Sequence, residues 1–321
     1  MENPDEQEQL NGNKPNQEEY RSWAERHGFA DWALALLWII GAFILFQFTA
    51  TIIAVALIAA RQGISANPAE LARALGENLD LVFIGNSTGQ ILFLGLATWF
   101  FTRLHTSKSN RKKFLHYRIQ SDTLQKIGVT VLLIVSVQPV IWFLAWINSF
   151  IPVPDMFSNL QTTQMQMIES YLKGHHLIWL TLFHVALVPA ICEETLYRGY
   201  VMRAFQKSWG IWPAIILSGF LFGLYHVQLS NLIPLASLGM LFAYLTWTTK
   251  SILPAMVAHF INNGGSVIMG TYYPKSAFSE MTPETMPPLW AVILGLAISG
   301  YIVYYLYNQH ILNSSNRKNY V

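Results

Sequence analysis

Six side chains in the second half of the chain have the types and spacing for proton transfer. Glu193 and Glu194 are adjacent, and Arg198 follows the second by four residues. His226 closes Phe222-Gly223-Leu224-Tyr225-His226, and His259 precedes Asn263 in His259-Phe260-Ile261-Asn262-Asn263. On a helix, positions four apart share a face, so Glu194 and Arg198 pair in the favourable acid-before-base order. Glu193 points about 100° away from its neighbour, so the two carboxylates divide the work. Glu194 is held by Arg198, and Glu193 is left for chemistry. Imidazole passes protons near neutral pH or binds a metal, and carboxylate plus imidazole is a standard set for activating water. A plainer reading exists for each part. The ion pair could reach for the interface from a helix end, and a lone His on an apolar helix is ordinarily a packing residue. Two such His, an Asn and two Glu in neighbouring apolar stretches shift the balance toward chemistry.

The elements that must position these groups read as membrane spans. Of 321 residues, 53% are hydrophobic and 12% charged, and the mean hydropathy is +0.33. Soluble domains carry about a quarter charged residues. Half that fraction, with apolar runs near the ~20 residues a bilayer requires, indicates a polytopic membrane protein. Eight runs are expected to be helices, at 29–60, 81–102, 127–151, 177–205, 211–227, 232–247, 252–270 and 289–307. The fold class is therefore all-α, a bundle of about eight transmembrane helices over 29–307, with the chemistry confined to 177–270. Residues 1–28 read as a disordered polar tail and not as a secretory signal, and 308–321 as a short polar tail. No internal repeat and no second domain is visible.

Charge sorting orients the bundle. With both termini on one side, that side receives sixteen of the twenty Lys and Arg, leaving Arg61, Arg73, Lys173 and Lys275 opposite. Cytoplasmic loops are enriched in Lys and Arg, so both termini are expected in the cytoplasm of a multi-pass protein of the cell (inner or plasma) membrane. Seven of the sixteen fall in 103–126, a basic loop expected to mark topology and meet anionic headgroups. The net charge of +2 gives no reason to expect nucleic acid. Cys192, the single cysteine, excludes an intramolecular disulfide and a multi-cysteine metal site, and reads as a small buried apolar residue. The polar segment 155–176 carries Met156, Phe157, Met165, Met167 and Ile168, so it is either an interfacial helix shielding an entrance or a loop packed on the bundle.

Local signals surround the carboxylates. Pro189 has no amide proton, so the helix bond to the Val185 carbonyl is lost, which predicts a kink and a free acceptor one turn before Glu193. Gly199 could end or bend the helix after Arg198. His175 and His176 sit at a span entrance, and His184 precedes Glu193 by nine residues. One conflict arises from counting. Measured at ~1.5 Å per residue from opposite ends of their spans, Glu193 and His226 differ in depth by more than ~10 Å in a core ~30 Å thick.

Glu193-Glu194-x-x-x-Arg198, Phe222-x-x-x-His226 and His259-x-x-x-Asn263, in that order on three spans, resemble the CPBP family of intramembrane proteases. That family includes the CAAX prenyl endopeptidase and bacterial Abi or bacteriocin-immunity relatives. The resemblance runs from about 177 to 265 and implies endoproteolysis within or at the membrane. Glu193 would be the general base on a water that His226 also holds, and His259 with Asn263 would donate to the oxyanion. Glu194 with Arg198 would fix the helix. The partners implied are membrane lipid and a membrane-associated or prenylated protein or peptide. Family members have been described both as metalloproteases and as glutamate proteases. Zinc would take Glu193, His226 and His259 as an open three-ligand site. The spacing leans to no metal, since no ligand pair lies on one helix as in His-Glu-x-x-His. Two other classes fit intramembrane Glu, His and Asn: a proton- or ion-coupled carrier, and a non-catalytic immunity-type membrane scaffold. Carriers commonly show repeats and paired broken helices, which are not seen here.

Overall fold

The structure, a computed structural model, describes residues 21–63, 67–174, 177–279, 282 and 284–318; His175 and His176 lie outside it. Among the described residues there is no strand. The principal helices are α1 (Asp31–Gln62), α2 (Leu79–Leu104), α3 (Thr123–Ser136), α4 (Gln138–Asn148), α5 (Asp155–Lys173), α6 (Ile178–Trp209), α7 (Ile211–Tyr225), α8 (Leu232–Thr249), α9 (Leu253–Tyr272) and α10 (Leu289–Lys318). Among the described residues five helices are long and apolar enough to cross a membrane, or six if the α3–α4 pair, bent by 42°, is one span. The protein is membrane-embedded. Two of the eight expected runs fall short of that measure for physical reasons. Helix α7 is apolar but only 15 residues long, and α9 dilutes its apolar surface with His259, Asn262 and Asn263. These are the helices that carry the histidines.

The bundle is assembled by close approach at small residues. Helices α7 and α8 form the tightest pair, and a Cβ on Gly219 would lie 2.5 Å from the Met240 backbone nitrogen. A Cβ on Gly239 would lie 2.6 Å from the Gly219 carbonyl oxygen. Without water to drive association, membrane helices gain from such backbone contact. Gly219→Ala must therefore push α8 away and is expected to cost about 1–3 kcal/mol. Gly300→Ala, at a position with open space around it, should change nothing. Thermal unfolding in detergent checks both. An unchanged midpoint for Gly219→Ala would show that the α7–α8 seam yields freely.

Gly199 turns out to have a packing role and not a terminating one. Helix α6 runs through it, and its missing Cβ leaves room for Leu115, whose Cδ2 would stand 3.0 Å from one. Leu115 belongs to the basic loop, which does more than mark topology. The His116 carbonyl accepts from Ile252 N at 3.0 Å, and the Arg118 carbonyl from Ser251 Oγ at 2.7 Å. Gln120 Nε2 donates to the Thr249 carbonyl at 3.0 Å. The loop thus clamps the α8–α9 turn from below. Burial and the nearby Arg203 charge push the His116 imidazole down to about 3, so it sits there neutral.

The tail expected to be disordered through residue 28 is described from Arg21 on, and there it is ordered. Ser22 and Glu25 cap a short helix, Trp23–Arg26, reciprocally. Glu25 pairs with Lys207 of α6 at 2.7 Å, and that ammonium holds its carboxyl below the usual range. Lys207 also meets Asp31, which bonds to buried His105, and His105 Nε2 meets the Tyr200 hydroxyl at 2.7 Å. The far end of α10 continues as helix to Lys318, through most of the polar end 308–321. Of the alternatives for 155–176, α5 is a helix packed on the bundle. Tyr171 and Leu172 are buried with Leu79 and Val267, and Gln161 bonds Ser230 in the turn after α7.

Candidate active site

Helix α6 carries the carboxylates and is irregular around them. Its stretches Phe183–Leu187 and Thr195–Val201 are π-helical, flanking the α-helical turn Val188–Glu194. Such turns cluster at functional sites, because an extra residue per turn re-aims side chains. Pro189 explains the first. The Val185 carbonyl, deprived of an amide from Pro189, accepts instead from Asn263 Nδ2 at 3.2 Å. The expected free acceptor is present, and α9 uses it. The helix continues past the proline as one 32-residue element, with a π turn over the residues before it.

The two carboxylates have different surroundings. Glu194 and Arg198 have fully buried side chains, with Oε1 2.9 Å from Nη1. The same Oε1 accepts from His259 Nδ1 at 2.8 Å. Arg198 also donates through Nη2 to the Gly239 carbonyl at 3.0 Å and lies 4.3 Å above the Phe222 ring. The glycine contact between α7 and α8 brings that carbonyl within reach. Glu193 is 7% exposed, and its Oε2 has no hydrogen-bond partner in the protein. The nearest cationic candidate is His259 Nε2, 3.9 Å away, beyond hydrogen-bond range.

His259 is oriented from both sides. Because Nδ1 donates to Glu194, Nε2 is the acceptor of a neutral ring, and Asn263 Nδ2 donates to it at 3.2 Å. The ring stacks on Phe242 with centroids 5.3 Å apart. Asn263 has a support that the sequence reading missed. Asn262 Nδ2 donates to Asn263 Oδ1, and Gln138 Nε2 to Asn262 Oδ1, each at 3.3 Å. A signal for Gln138 was available: a polar residue beside Pro139, inside an apolar run, at what proves to be the bend between α3 and α4.

His226 ends α7, and its Nδ1 meets the Phe222 carbonyl of its own helix at 2.8 Å. A carbonyl accepts, so Nδ1 carries the hydrogen and Nε2 keeps its lone pair. Phe222 is the link to the other groups, with its ring 4.8 Å from His226 and 5.7 Å from His259. Among the described residues no hydrogen bond or ion pair joins His226 to Glu193 directly. The structure therefore brings Glu193, Glu194, Arg198, His259 and Asn263 into one polar cluster, with His226 adjoining across an aromatic ring.

The depth conflict also resolves. Glu193 lies 17 residues before Gly210 and His226 lies 16 after it, and Gly210 is the turn between α6 and α7. Counted from their shared turn, the two are level. The contact of Tyr197 with Phe222, centroids 5.3 Å apart and one turn nearer Gly210 on each helix, agrees with that register. Helix α6 is simply longer than the bilayer core requires. Cys192 is buried against α2 near Gly95, as expected of a small apolar residue. His184 pairs with Ser87 at 2.7 Å, away from the cluster.

Residues 175–265, from the start of α6 into α9, match the family model described as type II CAAX prenyl endopeptidase Rce1-like. All six side chains above fall in that segment. The chain is also 31% identical over 84 residues to a Bacillus subtilis (strain 168) protein named "Putative membrane peptidase YdiL". That alignment covers 26% of this chain and about a third, 34%, of the length of the relative. No solved structure matches the chain.

Proposed function

We propose that this protein is an intramembrane endopeptidase of the CAAX-prenyl-protease-like type, hydrolysing a peptide bond of a membrane-associated or lipid-modified protein. The observation that carries the reading is the contrast between the carboxylates. Glu194 Oε1 is engaged by both Arg198 and His259. Among the described residues Glu193 has no hydrogen bond from either side chain and lies 3.9 Å from the His259 imidazole; the Oε2 of each carboxylate is buried without a protein partner. The matched peptidase segment supports the same class of reaction. The frame is an eight-helix bundle with both termini cytoplasmic, α7 and α9 completing the six spans that length and hydropathy pick out.

In this mechanism a water molecule is held between Glu193 and the bare Nε2 of His226. Glu193 takes one of its protons, and the oxygen bonds to the scissile carbonyl carbon. Negative charge gathers on the carbonyl oxygen. As substrate displaces the Asn263 amide from His259 Nε2, that nitrogen takes a proton from solvent, and it and the freed Asn263 hydrogen both donate to the oxygen. Glu194 stabilises that imidazolium through Nδ1. Collapse breaks the carbon–nitrogen bond, and the proton on Glu193 passes to the departing amine. A donor of this kind is worth about 10²–10³ in rate.

We keep the leaning to a metal-free reaction. Among the described residues no three His, Cys, Asp or Glu side chains group around one point. His259 Nδ1 is taken by Glu194, its Nε2 by Asn263, and His226 faces the cluster across Phe222. No step is therefore assigned to a metal. The test uses purified protein in nanodiscs with a farnesylated peptide ending in a CAAX-like sequence. Cleavage should occur and should survive thorough chelation, with no stoichiometric zinc in protein purified without chelator. About one zinc per chain, with cleavage lost on chelation and restored by a divalent ion, would replace this mechanism by a Lewis-acid one.

A further inference from the structure

Two tyrosines accompany the α6 carboxylate and the α7 histidine, and neither has a task in the mechanism above. Tyr197 is one turn past Glu193 and fully buried, and Tyr225 immediately precedes His226. Their rings meet edge to face with centroids 5.6 Å apart. The Tyr197 ring also abuts Phe222, and the Tyr225 ring abuts Phe43 of α1, with centroids 5.0 Å apart. The rings are thus fixed by packing, and that packing alone would be satisfied by phenylalanine. What distinguishes them is the hydroxyl. Both phenol oxygens are buried with no hydrogen-bond partner in the protein, as is Glu193 Oε2. The Glu193 carboxylate is within electrostatic reach of both phenols, and they of each other.

Burying a hydroxyl without a partner destabilises a protein. Three such atoms from two helices, gathered at the same level of the bundle, are accounted for if they share one small guest. The guest must accept from two phenols, donate to a carboxylate, and reach the His226 lone pair. A water molecule on its way to the scissile carbonyl has that chemistry, and a phenylalanine pair could not hold it.

We infer that the Tyr197 and Tyr225 hydroxyls are catalytic groups that bind the reacting water between Glu193 and His226. In the resting site both donate to its oxygen. As that oxygen bonds to the scissile carbon one phenol turns to Glu193, freeing the lone pair that attacks, and the two hydrogens of the water stay with the carboxylate and the imidazole. No covalent change falls on either phenol. This inference rests on the peptidase reading, but it can be separated from it by experiment.

The variants are Tyr197→Phe, Tyr225→Phe and the double, each purified as the full chain. With the farnesylated peptide as probe, kcat should fall by about 10- to 100-fold in at least one single variant, the range for losing a hydrogen bond to a charged partner, with KM little changed. The thermal midpoint should stay equal or rise, because an unpaired buried hydroxyl has been removed. A purely packing role gives the same midpoint with wild-type kcat in all three variants, and that result overturns the inference. Infrared difference spectra supply a readout that needs no substrate. The Glu193 carboxyl bands, identified by their loss in Glu193→Gln, should move in the Phe variants. If the wild type cleaves nothing, the peptidase reading falls, while moved bands would still show the phenols acting on Glu193 through the shared water. Bands at the wild-type frequency in all three variants would refute the phenol assignment whatever the enzyme assay gives.

Discussion

Replacing Glu193 by Gln lowers the cleavage rate by about 10²–10⁴-fold, the usual worth of a positioned general base, and leaves the protein folded and inserted. The amide has the shape of the carboxylate but cannot take a proton from water. It also removes no contact that the resting bundle depends on, since Glu193 Oε2 is unpartnered in the protein. Stability should therefore hold or improve slightly, as a buried charge is removed. His226→Ala should resemble it, because among the described residues the His226 ring bonds within its own helix turn. Rates measured on purified protein, with thermal unfolding in parallel, check both. Wild-type cleavage by Glu193→Gln would remove this carboxylate from the mechanism.

The neighbouring carboxylate should behave in the opposite way. Glu194→Gln removes the charge facing Arg198, and both side chains are fully buried. An uncompensated guanidinium in such a place costs about 3–5 kcal/mol. The remaining contacts, the Gly239 carbonyl and the Phe222 face, offset only part of it. His259 also loses the acceptor that sets its tautomer, so activity should fall together with the unfolding midpoint. Pairing Glu194→Gln with Arg198→Met should recover stability without recovering cleavage. An unchanged midpoint in Glu194→Gln alone would mean that water reaches the pair. Two adjacent glutamates then differ in kind: one mutates silently for stability, and the other does not.

Much of this assignment was legible in the chain. The fourfold spacing of Glu194 and Arg198 dictated their ion pair, because a helix places such residues on one face whatever surrounds it. The order of the three motifs identified the segment that the family match later covered. Pro189 announced a free carbonyl, since no fold can give proline an amide proton. The apolar runs announced helices, since a bilayer leaves the backbone no other internal way to satisfy itself at that length.

What the sequence could not contain was which helix meets which. The missing Cβ atoms of Gly219 and Gly239 say that something approaches closely, but only the packed bundle shows that it is each other, and that this sets a carbonyl beside Arg198. The basic loop was read by its charge, yet it acts through its backbone, clamping the α8–α9 turn by carbonyls that any residue would carry. Asn262 and Gln138 gained a task only when the bend at Pro139 turned one toward the other. Depth, too, was a tertiary matter. Measured from separate membrane faces, Glu193 and His226 were far apart, and measured from their common turn at Gly210 they are level. Local spacing fixes the angle of a side chain about its own helix. The register between helices is set by long-range packing, and that register places the Glu193 carboxylate, His259 and two unpaired phenols in the same buried layer.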